Sequence, residues 1–285
     1  MEVKDTFFPK KKVLNVRGNI WTIDSPVVMG ILNLTPDSFY DGGKHDSVLL
    51  ALNKTAEMYD SGAKIVDLGA MSSRPGADLI SEAEEWSRLQ CVITAIKKEF
   101  PGQMVSIDTF RAEIARRSLD LGADIINDIS GGQLDSGIMN IVAQCHAPYI
   151  AMHMRGDVST MQALTDYDNL MLDSLDHFIA VEAKAKQVDL TDVLIDPGFG
   201  FSKTLAQNYE LLGKLSLLRV LQRPIVVGVS RKSMIYKTLD TEPQHALNGT
   251  TALHMTALMK GADILRVHDV KEALESITLY NKLAN

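Results

Sequence analysis

The chain has 285 residues, of which 46% are hydrophobic and 23% charged, with a formal net charge of −7. That balance suits a soluble globular protein with a large core, and its negative sign argues against bulk electrostatic binding to nucleic acid. No apolar run of about 18 residues is present to span a membrane, and no apolar stretch backs the cations of MEVKDTFFPKKK as in a secretory signal.

Residues 13–23, VLNVRGNIWTI, read as a hairpin turning at Arg17–Gly18–Asn19, placed to plug the bottom of a barrel. Eight apolar runs that end on polar clusters follow: VVMGILN to Asn33, KIVDLG to Gly69, MVSIDT to Thr109, DIINDI to Ile129, PYIAMH to His153, VLIDPG to Gly198, IVVGVSRK to Lys232 and ILRVHD to Asp269. Helical spacing fills most of the intervals, at 47–61, 81–98, 110–121, 134–145, 168–188, 205–221, 231–240 with 246–260, and 269–283. Ser81 with Glu84 predicts a capping box at the second of these. GAKI at 62–65 and GADI at 122–125 and 261–264 each set a glycine behind a helix and a polar residue before a strand. Eight strand–helix units predict a (β/α)₈ barrel, a fold of about 250 residues whose chemistry sits where the strands end. A single domain over 1–285 is expected, with the barrel at about 27–283.

The strand endings Asn33, Arg74 just beyond strand 2, Asp108, Asn127, His153, Asp196, Lys232 and Arg266 with His268 then converge on one mouth. Asp108, Asn127 and Asp196 could simply cap helices, but three around one mouth suit the N–H and carbonyl edge of an amino-pyrimidinone ring. Arg74, Lys232, Arg266 and His268 supply positive charge where barrels often bind phosphate. The plain alternative for Arg266 is a salt bridge to Asp263 or Asp269, and His153, between two methionines, reads as a packed histidine. Cys91 and Cys145 fall in predicted helices without metal-ligand spacing and are expected to be packed, reduced thiols of a cytoplasmic protein. No GxSxG, HExxH, GxxxxGK[ST] or EF-hand pattern occurs. With no His/Cys cluster for zinc, the expected metal is magnesium, held mainly by a diphosphate ligand with one or two protein oxygens.

The segments MGILNLTPDSFYDGG, SSRPG, SIDT, IINDISGG, DPGFGF, GVSRKS and RVHDV, in this order, resemble the dihydropteroate synthase family from about Val27 to Ala273. The resemblance implies a barrel that joins 6-hydroxymethyl-7,8-dihydropterin diphosphate to 4-aminobenzoate and releases diphosphate. It implies that Asp108, Asn127, Asp196 and Lys232 hold the pterin, and that Asn33 serves magnesium and diphosphate. Ser73 and Arg74 match a closing loop that meets both substrates, Arg266 and His268 an anion pocket, and Phe201 and Ser233 the aminobenzoate pocket, where sulfonamides compete. A homodimer through the last helices is implied as well. The chain departs from the family's GGESTRPG by reading GAMSSRPG: Ala70 and Met71 replace glycine and glutamate, and Ser73 replaces threonine. Tyr40 stands where a smaller residue is common.

An aryl amine nucleophile needs no strong general base, so the harder step is expelling diphosphate, and an SN1-like substitution is expected. Loops 33–46 and 70–81 are expected to order only over bound substrates, and 153–167 is a third long connection at the same end. Three other readings compete. A pterin-binding methyltransferase module would need neither LNLTPDSF nor GVSRKS, a Schiff-base aldolase would use Lys232 covalently, and a non-catalytic pterin-binding protein would lack the anion pocket.

Overall fold

The computed structural model describes residues 12–34, 44–71 and 79–284. Two short strands, β1 (Val13–Val16) and β2 (Asn19–Thr22), pair antiparallel. Their two-residue turn takes positive φ at Arg17 and Gly18, and the Asn15 side chain accepts from Gly18 N at 2.7 Å; a primed turn of this kind matches the twist of the arms. Eight parallel strands follow: β3 (Val27–Asn33), β4 (Ile65–Gly69), β5 (Met104–Asp108), β6 (Ile125–Asp128), β7 (Tyr149–Met152), β8 (Val193–Asp196), β9 (Val226–Val227) and β10 (Ile264–Val267). They run in the order β8-β7-β6-β5-β4-β3-β10-β9. A bridge between Ile195 and Ile225, with Ile195 N donating to Pro224 O at 3.0 Å, joins β8 to the segment entering β9 and closes the barrel.

The helices are α1 (Lys44–Asp60), α2 (Glu82–Glu99), α3 (Ala112–Asp120), α4 (Ile138–Gln144), α5 (Leu170–Gln187), α6 (Leu205–Gly213), α7 (Ser233–Tyr236), α8 (Leu247–Met259) and α9 (Val270–Ala284). The Ser81 side chain accepts from Glu84 N at the start of α2, as its position predicts. Gly62, Gly122 and Gly261 carry positive φ behind α1, α3 and α8, the left-handed step the repeated GA turns require. The segment expected to be helical over 205–221 changes at Gly213 to a 3₁₀ stretch at Leu215–Leu221. The IVVGVSRK run yields only a two-residue strand, because the chain turns through a left-handed Arg231. Lys232 therefore stands as the N-cap of one-turn α7 and not on a strand. Cys91 is exposed and not packed, since α2 turns it away from the barrel, while Cys145 is half-buried, and both are free thiols. Among the described residues no helix is long and apolar enough to cross a membrane.

Strand parity sorts the side chains. Outward residues such as Val66, Leu68, Val105, Ile107 and Ile126 on one side, and Val28, Ile195, Val227, Leu265 and Val267 on the other, are buried under the helices. Inward residues at the strand starts (Met29, Ile65, Ile125, Ile150, Leu194, Val226 and Ile264) form an apolar plug with Leu14, Val16 and Ile23 of the hairpin segment. Burying each of those three contributes about 1.5–3 kcal/mol, so the hairpin seals the bottom of the barrel as expected. Two residues further along, the inward positions of five strands turn polar, at Asp67, Ser106, Asn127, Asp196 and Arg266, while β3 and β7 stay apolar at Ile31 and Met152. That change of polarity sets how deep a polar ligand can descend.

Candidate active site

Asn33, Gly69, Asp108 and Asn127 occupy one register row across β3, β4, β5 and β6. Gly69 has no side chain there. A Cβ at that position would lie 3.3 Å from Asn33 Oδ1 and 3.7 Å from Asp108 Oδ2, so its absence lets those two groups approach across β4. Asn33 and Asp108 are half-buried, while Asn127 and Asp196 lie deeper.

Arg266 does not pair with Asp263 or Asp269. Its Nε donates to Asp67 Oδ2 and its Nη2 to Asp108 Oδ2, each at 2.7 Å. Asp263 instead accepts from Ile225 N at 2.9 Å, and Asp269 is held by Arg231. The reason is parity: Arg266 faces into the barrel, and the two aspartates beside it lie beyond the strand's inward positions. Asp67, which sequence reasoning passed over, is fully buried and also accepts from Asn127 Nδ2 at 3.0 Å. Its other oxygen, like the hydroxyl of buried Ser106, has no hydrogen-bond partner among the described residues. A carboxylate at an inward position in the middle of KIVDLG was the available signal.

Burial pushes the Asp108 carboxyl up, and the Arg266 guanidinium pulls it back. Asp196 is likewise raised by burial and lowered by the Lys232 charge, while its Oδ1 accepts from Gly198 N at 2.8 Å. Burial brings Lys232 down to about 8 against the opposing pull of Asp196. Lys232 Nζ donates to Phe199 O and stands 4.8 Å from the centre of the Phe201 ring. Ser233 is half-buried, one residue beyond Lys232. His268 is exposed at the rim, with Nδ1 3.1 Å from Ser230 Oγ.

Above this polar floor, Phe110, Ile129, Met152, Met154, Val158, Met161 and Phe201 form an apolar wall, and Met71 packs against it. The thioether that stands where the family carries glutamate thus meets apolar neighbours. His153 is buried as expected. Ser73 and Arg74 lie outside the described residues, as do Asp37, Tyr40, Gly42–Gly43 and Pro75–Gly76 of the two loops expected to close. Among the described residues no group of three or more His, Cys, Asp or Glu could hold a metal ion.

A closed barrel with a plugged bottom thus carries a polar, charge-paired floor under an apolar wall at its upper mouth, the end at which barrel enzymes carry out their chemistry. The family described as "Pterin binding enzyme" matches residues 29–268. The chain is 46% identical over 253 residues to the dihydropteroate synthase of Synechocystis sp., covering 88% of this chain and 87% of that protein. It is 41% identical over 266 residues to that of Escherichia coli, covering 93% and 94%. The Yersinia pestis dihydropteroate synthase solved with a sulfonamide drug complex superposes with a TM-score of 0.88 at 39% identity, covering 95% of this chain and 98% of that one. The Xanthomonas albilineans enzyme with 4-aminobenzoic acid gives 0.89 at 34% identity, covering 96% and 98%. The chain belongs to the dihydropteroate synthase family of pterin-binding enzymes, transferases of folate synthesis.

Proposed function

We propose that this chain condenses 6-hydroxymethyl-7,8-dihydropterin diphosphate with 4-aminobenzoate, forming 7,8-dihydropteroate and diphosphate, as a single cytoplasmic pterin-binding domain. One observation carries the reading most directly: the polar floor holds Asp67, Asn127, Asp196, Lys232 and Arg266 together, with one Asp67 oxygen unpartnered. Such a surface suits a ring that presents N–H groups beside a carbonyl.

In this reading Asp196 and Asn127 take the amino-pyrimidinone edge and Lys232 the ring's acceptor atoms. Asp108 and Asp196 stabilise positive charge developing on the exocyclic methylene as its C–O bond breaks and the electron pair leaves with diphosphate. The aminobenzoate nitrogen then supplies its lone pair to the methylene carbon and loses a proton to solvent. Arg266 and His268, with Ser73 and Arg74, address the departing anion; a preorganised cation stabilises such charge without reorganising at the moment of reaction. Phe201 and Ser233, with Ser73 and Arg74, line the aminobenzoate side, where sulfonamides would compete. Asn33 offers a single neutral oxygen, which fits a magnesium ion that arrives on the diphosphate and not a resident all-protein site. When bound, magnesium would neutralise the leaving group.

A covalent role for Lys232 is the competing reading, and borohydride trapping tests it. The homodimer reading draws support from Met259, Leu279 and Leu283, which are 69%, 62% and 75% exposed on α8 and α9; light scattering tests it. For the reaction itself, the protein is mixed with pterin diphosphate, 4-aminobenzoate and magnesium. Dihydropteroate with stoichiometric diphosphate is expected, and no product from folded protein would favour a non-catalytic pterin-binding protein.

A further inference from the structure

Behind the loop that follows β8 lies a buried lysine that the reaction above does not use. Lys203 is 4% exposed. Its Nζ lies 2.9 Å from His153 Nδ1 and donates to Phe201 O at 3.0 Å and Gly198 O at 3.1 Å, with His153 O at 3.4 Å. On its other side, the His153 ring meets Asp173 Oδ1 through Nε2 at 3.0 Å. Burial lowers the imidazole to about 3, so at neutral pH the ring carries one proton. The partners settle which nitrogen holds it: Nε2 donates to the Asp173 carboxylate and Nδ1 accepts from Lys203. Every atom facing Lys203 Nζ is then an acceptor, which favours the ammonium, although burial pulls that group down. Asp196 supplies the larger balancing charge, and Asp173, held well below the usual carboxylate range by His153 and Arg155, the smaller.

The loop held this way is conformationally demanding. Gly198, Ser202 and Gly200 all have positive φ within five residues, and left-handed backbone at a non-glycine such as Ser202 persists only where its surroundings enforce it. A Cβ at Gly198 would lie 2.1 Å from His153 O, so the loop presses directly on the strand end that carries the histidine. The same loop sets three groups of the site. Gly198 N holds Asp196, Phe199 O holds Lys232, and the Phe201 ring lies beneath the Lys232 ammonium.

We propose that Lys203, tied through His153 to Asp173, is a positioning residue for this reaction, fixing the 197–203 loop so that Phe201 meets the aminobenzoate side of the pocket in register with Lys232 on the pterin side. The proposal rests on the synthase reading for its kinetic consequence, and on the hydrogen-bond geometry alone for its structural one. Asp196 is also held by strand β8, whereas Phe201 O is bound by Lys203 directly. The aminobenzoate KM should therefore respond more than the pterin diphosphate KM. Independent ties, Gly200 N to Asn208 Oδ1 at 2.6 Å and the Thr204–Gln207 capping box, keep the loop attached if Lys203 is lost.

The test compares wild type with Lys203→Met and Asp173→Asn by steady-state kinetics in each substrate, thermal unfolding, and amide exchange of residues 198–201 without ligand. For Lys203→Met the expected result is a folded protein with faster loop exchange. Its kcat/KM for aminobenzoate should fall on the order of 10²-fold, the scale of an ångström-sized misplacement, with a smaller change for pterin diphosphate. Asp173→Asn, near the surface, should shift both readouts the same way and less. A lowered melting temperature with unchanged exchange and unchanged KM would make Lys203 a structural residue only and overturn the proposal. If Lys203→Met does not fold, an unchanged aminobenzoate KM and unchanged loop exchange in Asp173→Asn overturn it instead. A wild type that makes no dihydropteroate would defeat the synthase reading, while the exchange data would still decide whether Lys203 holds the loop.

Discussion

Replacing Arg266 by alanine should leave two carboxylates facing each other inside the barrel. Asp67 is fully buried and Asp108 is 11% exposed, and the guanidinium donates to both at 2.7 Å. Removing one partner of a buried, hydrogen-bonded ion pair costs about 3–5 kcal/mol, because the remaining charge stays desolvated. The cost should depend on pH in a definite direction. Burial already holds the Asp108 carboxyl above its ordinary range and Arg266 opposes that rise, so the variant's carboxyl rises further. A carboxyl raised on folding lowers stability when ionised. The loss is complete above its folded pKa and fades as pH falls toward the unfolded value of about 3.9. Both proteins share the unfolded value, so the melting gap between wild type and Arg266→Ala is set by the two folded values: it should be widest at alkaline pH and narrow as pH falls to about 7, where the wild-type Asp108 carboxyl takes up its own proton. Calorimetry adds the functional half. Free pterin should weaken somewhat, since Asp67 also holds Asn127, and pterin diphosphate and diphosphate should weaken more. A melting gap that stays constant across this range would refute the stranded-carboxylate argument. Equal weakening of all three ligands would reduce Arg266 to an ion-pair partner.

Asp196→Asn should keep the fold and cost about 2–4 kcal/mol in transition-state stabilisation, read as kcat/KM; unchanged pterin affinity would remove Asp196 from the pocket. Lys232→Met should weaken pterin binding, and borohydride treatment of wild type with substrate should leave the protein mass unchanged, since a trapped adduct would revive the aldolase reading. Gly198→Ala must place a methyl 2.1 Å from His153 O at a φ of +71°. It should lose at least about 1–3 kcal/mol from the left-handed backbone alone, and a melting temperature like that of wild type would show that the loop can move away.

Local patterns were enough to read the barrel. Apolar runs of five to seven positions closing on a polar cluster, a serine three residues before a glutamate, and glycine behind a helix are short-range signals, and β3, β4, β5, α2 and the three GA turns formed where they predicted. The hairpin's role was legible for the same reason: its alternation exposes an apolar face that needs a partner. The residues at the strand ends were visible too, because polar atoms at the close of an apolar run stand out. What the chain alone left open was pairing. Arg266 lies 199 residues from Asp67 and 158 from Asp108, while the aspartates adjacent in sequence face elsewhere. Lys203 and His153 are 50 residues apart and each looks unremarkable by itself. Asp67, inside an apolar run, gains its partners only when the sheet closes and brings β10 beside β3, next to β4. Which charges neutralise one another inside a barrel depends on inward parity and strand order around the ring, and those exist only once the ring has formed.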